Sequence, residues 1–151
     1  MAILPKLPRL VRKLLSAGVS PQLRDLNGAT PLHIAAGTGL QGCAAVLLDA
    51  GASYLLRDRW GGLPIHWAAN QGQSDIIRLL IERGVPIDAE TSLGERPIMY
   101  AIHTKSLESV DLLVQLGASA VGRDSWGYTP ITDACLSQAT NELKITVQSR
   151  H

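Results

Sequence analysis

The sequence predicts an all-α solenoid of stacked helix-turn-helix units joined by hairpin-like turns, and two observations carry that expectation. The first is a period. Pro31, Pro64, Pro97 and Pro130 stand 33 residues apart, as do Gly28, Gly61, Gly94 and Gly127, and again Gly18, Gly51, Gly84 and Gly117. Three ladders with one spacing are the mark of a repeat architecture. The second is composition. The 151-residue chain is 46% hydrophobic, but only 4% aromatic, with no Phe. A core of Ala, Leu, Ile and Val suits slender helices in close contact. The charged fraction, 18%, lies below the roughly 25% usual in soluble proteins and excludes intrinsic disorder.

The period divides the chain into a half repeat at 1–24, full repeats at 25–57, 58–90 and 91–123, and a C-terminal capping repeat at 124–151. Each full unit reads in the same order. Asp25-Leu26-Asn27-Gly28 and its copies are turn chemistry, with the glycine free to take positive φ at the tip. Thr30-Pro31 is a helix start, because a Thr N-cap satisfies an orphan amide and Pro at the first helical position wastes no donor. Leu32, Ile34, Ala35 and Ala36 form a short inner helix, and Gly39 supplies a left-handed stop. Cys43, Val46, Leu47 and Leu48 recur at helical spacing in an outer helix that Gly51 ends. Such a unit cannot bury both faces alone, so it must stack.

Read in this register, the segment Thr30-Pro31-Leu32-His33, followed by Ala35-Ala36, resembles the signature of the ankyrin repeat family, and the resemblance runs over about residues 8–147. It implies an ankyrin-repeat solenoid that binds a partner protein. It also implies that His33 and His66 are structural residues, hydrogen-bonded to turn and cap, and not metal ligands or general bases.

Departures from the pattern carry expectations of their own. Leu63 and Arg96 replace the capping Thr, at a cost of about 1 kcal/mol each if nothing compensates. Met99 replaces the histidine and Lys105 the helix-ending glycine, so the third repeat is expected to be the loosest. Asp133 stands where earlier repeats have Ile34, Trp67 and Tyr100, and is read as a polar residue facing outward from a terminal repeat. The outer helix around Asn141, Glu142 and Lys144 is read as a polar cap.

At the N-terminus, Met1 falls in the middle of an inner helix by register, leaving Met1, Ile3, Leu4 and Leu7 without obvious burial. The preferred reading is a piece of a longer repeat protein; the alternative is a strip folded irregularly over the stack. Lys6, Arg9, Arg12, Lys13 and Arg24, with no acid among residues 1–24, resemble the composition of a presequence or a membrane-surface helix. Leu14-Leu15-Ser16-Ala17-Gly18 nevertheless keeps the register of Leu47-Leu48-Asp49-Ala50-Gly51. A presequence has no reason to do so.

The search for chemistry is negative. No Cys-x-x-Cys or His-x-x-x-His spacing occurs, and no convergent carboxylates accompany the histidines, so no metal, cofactor or catalytic residue is expected. Cys43 and Cys135 fall on apolar positions and read as buried thiols in a reducing compartment, here the cytoplasm or nucleus. A net charge of +1 gives no electrostatic case for nucleic acid. No apolar run approaches the ~18 residues of a membrane span.

What remains is a binding surface. In a solenoid the hairpin tips and the open side of the inner helices line one concave face. The candidate partner-binding residues are Asn27, Arg59, Trp60, Leu93, Glu95, Ser125, Trp126 and Tyr128 on the tips, and Asn70, Gln71 and His103 on the inner helices. Trp60 and Trp126 share one repeat slot, and exposed Trp and Tyr are frequent interface hot spots. The competing reading packs the two Trp rings on neighbouring hairpins. Arg57, Arg59 and Arg123 would make the groove mildly basic. The expected function is a non-catalytic, monomeric interaction module for another protein; the alternative is a regulatory or targeting fragment of a larger ankyrin protein, localised by its basic N-terminal strip.

Overall fold

The structure, a computed structural model, describes residues 6–138. Helices α1 (Leu7–Ser16), α2 (Pro31–Thr38), α3 (Gln41–Asp49), α4 (Pro64–Asn70), α5 (Ser74–Glu82), α6 (Pro97–His103) and α7 (Leu107–Gln115) follow in order, and residues 130–138 form α8. They stack in two layers. The inner layer packs α2 on α4 and α4 on α6, while the outer layer packs α1 on α3, α3 on α5 and α5 on α7. No strand is formed among the described residues. The expected all-helical solenoid is what the chain builds.

Local chemistry explains each unit. Pro31, Pro64 and Pro97 open their helices as the first helical residue, where a missing N–H costs nothing. Gly39 (φ 75°) and Gly72 (φ 68°) end inner helices in the left-handed region, and Lys105 does so at φ 57° without a glycine's freedom. Between these punctuation marks the apolar positions meet. Leu32, Ile65 and Ile98 are equivalent and all buried, as are Leu47, Leu80 and Leu113 of the outer layer. Ala35, Ala68 and Ala101 sit where the inner helices approach one another, and are also buried.

At the ends the pattern changes. Ile131, the fourth copy of Leu32, is 70% exposed. Cys43 is buried as expected, but Cys135 is exposed. Cys135 repeats buried Ala36 and Ala69 and half-buried Ile102, so the shared slot alone does not bury it. At the other end Leu7, expected to lack burial, packs partly against the core together with Val11 and Leu15. Helix α1 is thus the outer helix of the half repeat, and Arg9, Arg12 and Lys13 lie on its exposed side. The expectations for Met1, Ile3 and Leu4, and for Asn141, Glu142 and Lys144, fall outside the described residues.

Candidate partner-binding face

The hairpin tips are built by one acceptor repeated along the chain. Asp25 Oδ1 accepts the N–H groups of Asn27 and Ala29 at 2.8 and 2.9 Å. Asp58 does the same for Trp60 and Gly62 at 2.9 and 2.8 Å. Asp124 holds Trp126 and Tyr128, both at 2.9 Å. In the third repeat Thr91 Oγ1 takes over, accepting from Leu93 and Glu95 at the longer distance of 3.3 Å. Successive tips are then joined backbone to backbone. Arg59 N–H donates to Asn27 O at 2.8 Å, Ser92 N–H to Trp60 O at 3.4 Å, and Ser125 N–H to Leu93 O at 2.8 Å.

This ladder leaves the side chains of Asn27, Trp60, Leu93 and Trp126 in one row. Trp60 and Trp126 are 58% and 59% exposed, so packing on neighbouring hairpins does not consume either ring. The third tip position behaves differently from the expectation. Ala29 and Gly62 turn inward and are buried, and Glu95 is half-buried, while Tyr128 is 43% exposed. Glu95 accepts a hydrogen bond from Tyr100 Oη at 2.8 Å. Its carboxylate is therefore engaged within the repeat. Arg59, Ser125, Asn70, Gln71 and His103 are exposed.

The guanidinium groups of Arg57 and Arg123 keep their charge near the tips but are held in place by backbone carbonyls. Arg57 donates to Gly61 O and Glu90 O at 2.7 and 2.6 Å, and Arg123 donates to Gly127 O at 2.9 Å. Arg96, the residue in the capping slot of repeat three, pairs with Glu90 Oε1 at 2.8 Å instead of capping.

Behind the tips lies a second repeated device. Thr30 N–H donates to His33 Nδ1 at 3.1 Å, so the imidazole proton rests on Nε2, which faces Gly62 O of the next repeat at 3.1 Å. His66 Nδ1 likewise accepts from Leu63 N–H at 3.0 Å, but its Nε2 faces Ala89 O, at the end of its own repeat, at 2.8 Å. Leucine offers no side-chain acceptor, so only the histidine half of the capping arrangement survives there. Trp67 meets His33 edge to face at 5.5 Å and closes over Gly37, where a Cβ would stand 3.2 Å from its ring. Its Nε1–H donates to Asp58 Oδ2 at 2.8 Å. Tyr100 meets His66 in the same way at 5.6 Å. Burial lowers the pKa of both histidines, that of His66 to about 4. These neutral imidazoles use both ring nitrogens on the backbone, that of His33 across a repeat boundary, and offer no lone pair to a metal.

Asp133 corrects a further expectation. Its slot points back toward the preceding repeat, as Trp67 and Tyr100 do, so it is buried and not solvent-facing. Among the described residues its Oδ2 has no hydrogen-bond partner, and it lies 3.6 Å from Nε2 of His103. Burial raises its pKa, opposed by His103. Sequence periodicity placed the residue but assigned the slot the wrong direction. The orientation of Trp67 over Gly37 is what reveals it. The Asp58–Trp67 and Glu95–Tyr100 bonds were likewise missed, since both link residues of unlike type across a turn, where no sequence spacing announces them.

Among the described residues no group of three or more His, Cys, Asp or Glu side chains could hold a metal. No helix among them is long and apolar enough to cross a membrane. Two layers of short helices with a tip ladder define a helical repeat protein. The family description "Ankyrin repeats (3 copies)" matches residues 1–91. This is more than half of the chain, which belongs to the ankyrin repeat family. A stretch of 47 residues is also 43% identical to NF-kappa-B inhibitor alpha of Rattus norvegicus and to that of Mus musculus. It covers 31% of this chain and 15% of each relative.

Proposed function

We propose that this chain is a non-catalytic protein–protein interaction module that takes a partner protein on its concave face. Ankyrin repeats are in general interaction modules of this kind, and the relatives named above include an inhibitor that acts on another protein. The observation that carries the reading is the row Asn27, Trp60, Leu93, Trp126. Two indole rings, more than half exposed, stand on a backbone already fixed by hydrogen bonds. Large rigid side chains on an ordered frame lose little entropy when they bind, which is what hot spots require. Arg59, Ser125, Tyr128, Asn70, Gln71 and His103 complete the face. Glu95 takes part by buttressing Tyr100. The chain acts as a monomer, and its unpaired thiols suit a reducing compartment, the cytoplasm or nucleus.

The test is capture from cell extract by the wild-type chain and by a Trp60→Ala/Trp126→Ala variant shown to be folded by circular dichroism. Loss of the captured protein in the variant supports the concave tips. Equal capture by both chains would overturn them as the site.

A further inference from the structure

One polar pairing recurs along the stack and fails in the fourth repeat. In the second repeat Trp67 Nε1–H donates to Asp58 Oδ2 at 2.8 Å, and in the third Tyr100 Oη donates to Glu95 at 2.8 Å. Each of these tip carboxylates thus has a side-chain donor on the inner helix that follows it. In the fourth repeat Asp124 stands in the slot of Asp58, but the slot of Trp67 and Tyr100 holds Asp133. A second acceptor has replaced the donor.

Two carboxylates therefore share a place that elsewhere holds one carboxylate and one donor. Asp124 uses Oδ1 on the N–H groups of Trp126 and Tyr128. Asp133 is 6% exposed, and among the described residues its Oδ2 is unpartnered. His103 Nε2 stands 3.6 Å from that oxygen, beyond hydrogen-bond reach. The negative charges of Asp124 and Glu95 both act on Asp133. A buried acceptor left without a donor is costly, and among three carboxylates the group that satisfies it must bring both protons and positive charge. Beside Asp124, on the tip that it holds, Trp126 and Tyr128 expose aromatic rings, which attract a cation to their faces. A guanidinium suits this setting better than an ammonium: its planar fork serves two carboxylates at once, it stacks on aromatic rings, and it is less strongly hydrated. Resting on the reading of the concave face as a protein-binding surface, we propose that Asp124 and Asp133 receive an arginine side chain of the partner protein. The arginine supplies the donor that the fourth repeat lacks, and the half-exposed His103 side chain turns aside toward solvent to admit it.

The probe is arginine blocked at both ends (N-acetyl-arginine methylamide), titrated into the full chain while NMR follows the Asp133 carboxyl, the His103 ring and the Trp126 indole. Saturable shifts at all three are expected, with a Kd on the order of 1 mM. Equally blocked citrulline, which keeps the shape without the charge, and sodium chloride at matched ionic strength should produce none. Asp133→Asn removes a buried charge and so keeps the fold, checked by circular dichroism, yet it should weaken arginine binding about tenfold. Absence of saturable shifts in the wild type, or equal affinity in the variant, overturns the proposal, and equal binding of blocked lysine overturns the choice of a guanidinium. Capture from cell extract separates this site from the tips. A captured protein lost by Trp60→Ala/Trp126→Ala but held undiminished by Asp133→Asn leaves the tip reading standing and overturns the arginine site. Capture that survives the double tip variant but falls with Asp133→Asn overturns the tips and supports the arginine site.

Discussion

The junctions between the first two full repeats and between the last two share a frame and differ in what pins them. At the first, His33 bonds both the start of its own helix and Gly62 of the next repeat, and Trp67 closes against its ring. At the last, Met99 replaces the histidine and Asp133 the aromatic ring. The carboxylate is buried, with one oxygen unpartnered among the described residues and 3.6 Å from His103. Both junctions nevertheless keep the spacing, because buried Leu32, Ile65 and Ile98 and the Ala35, Ala68, Ala101 series set it. Apolar positions determine that repeats stack. Polar pins determine how firmly, and they can be exchanged or lost without changing the fold.

The comparison can be broken most severely at His66, which bonds Ala89 O at the end of its own repeat and meets Tyr100 of the third. His66→Ala removes two buried hydrogen bonds and leaves a cavity beneath Tyr100. We expect a loss of about 3 kcal/mol in urea unfolding. Met99→Ala should cost a similar amount through the cavity alone, but with no accompanying change in the pH profile.

Acid provides the next largest effect and separates the junctions without mutation. The folded-state pKa of His66 is depressed to about 4, below the ordinary 6.5. The unfolded chain therefore binds the proton first, and the stability that His66 contributes is present above pH 6.5 and lost as pH falls toward 4. Between pH 7 and 5 the expected loss is about 2 kcal/mol, with His33 acting in the same direction. Asp133 has the opposite sign: its raised pKa means that acidification relieves the burial of its charge. Hydrogen exchange by repeat should show α2 and α4 loosening on acidification before α6 and α8. Uniform loosening would contradict the assignment.

The smallest effect sharpens the comparison inside the third repeat. Lys105 holds φ 57°, where Gly39 and Gly72 occupy the equivalent places. Lys105→Gly should raise stability by about 1 kcal/mol, seen as a higher urea midpoint with an unchanged slope.

How much of this was legible in the sequence follows from how local each signal is. The turns, the proline starts and the glycine stops are each fixed by a few adjacent residues, so the period revealed them. The row Trp60, Trp126 was legible as a row because repeat slots superpose. Its exposure was not, since that depends on whether a neighbouring hairpin covers the ring. Asp133 was placed in the right slot and given the wrong environment, because periodicity states where a residue recurs but not which neighbour it faces. Arg57 and Arg123 read as charges on a solvated face; that backbone carbonyls fix their direction was not legible, because every residue carries such an acceptor.

The backbone bonds that join the tips have one more consequence. The carbonyls of Asn27, Trp60 and Leu93 and the amides of Arg59, Ser92 and Ser125 form the joints, and no side chain takes part in them. The residue at each slot is therefore free to change without disturbing the joint beneath it, as the succession of Asn, Trp, Leu and Trp already illustrates. The molecule keeps its scaffold and its vocabulary in separate atoms, so a new recognition surface can be written by single substitutions, one slot at a time, without the chain having to learn a new way to fold.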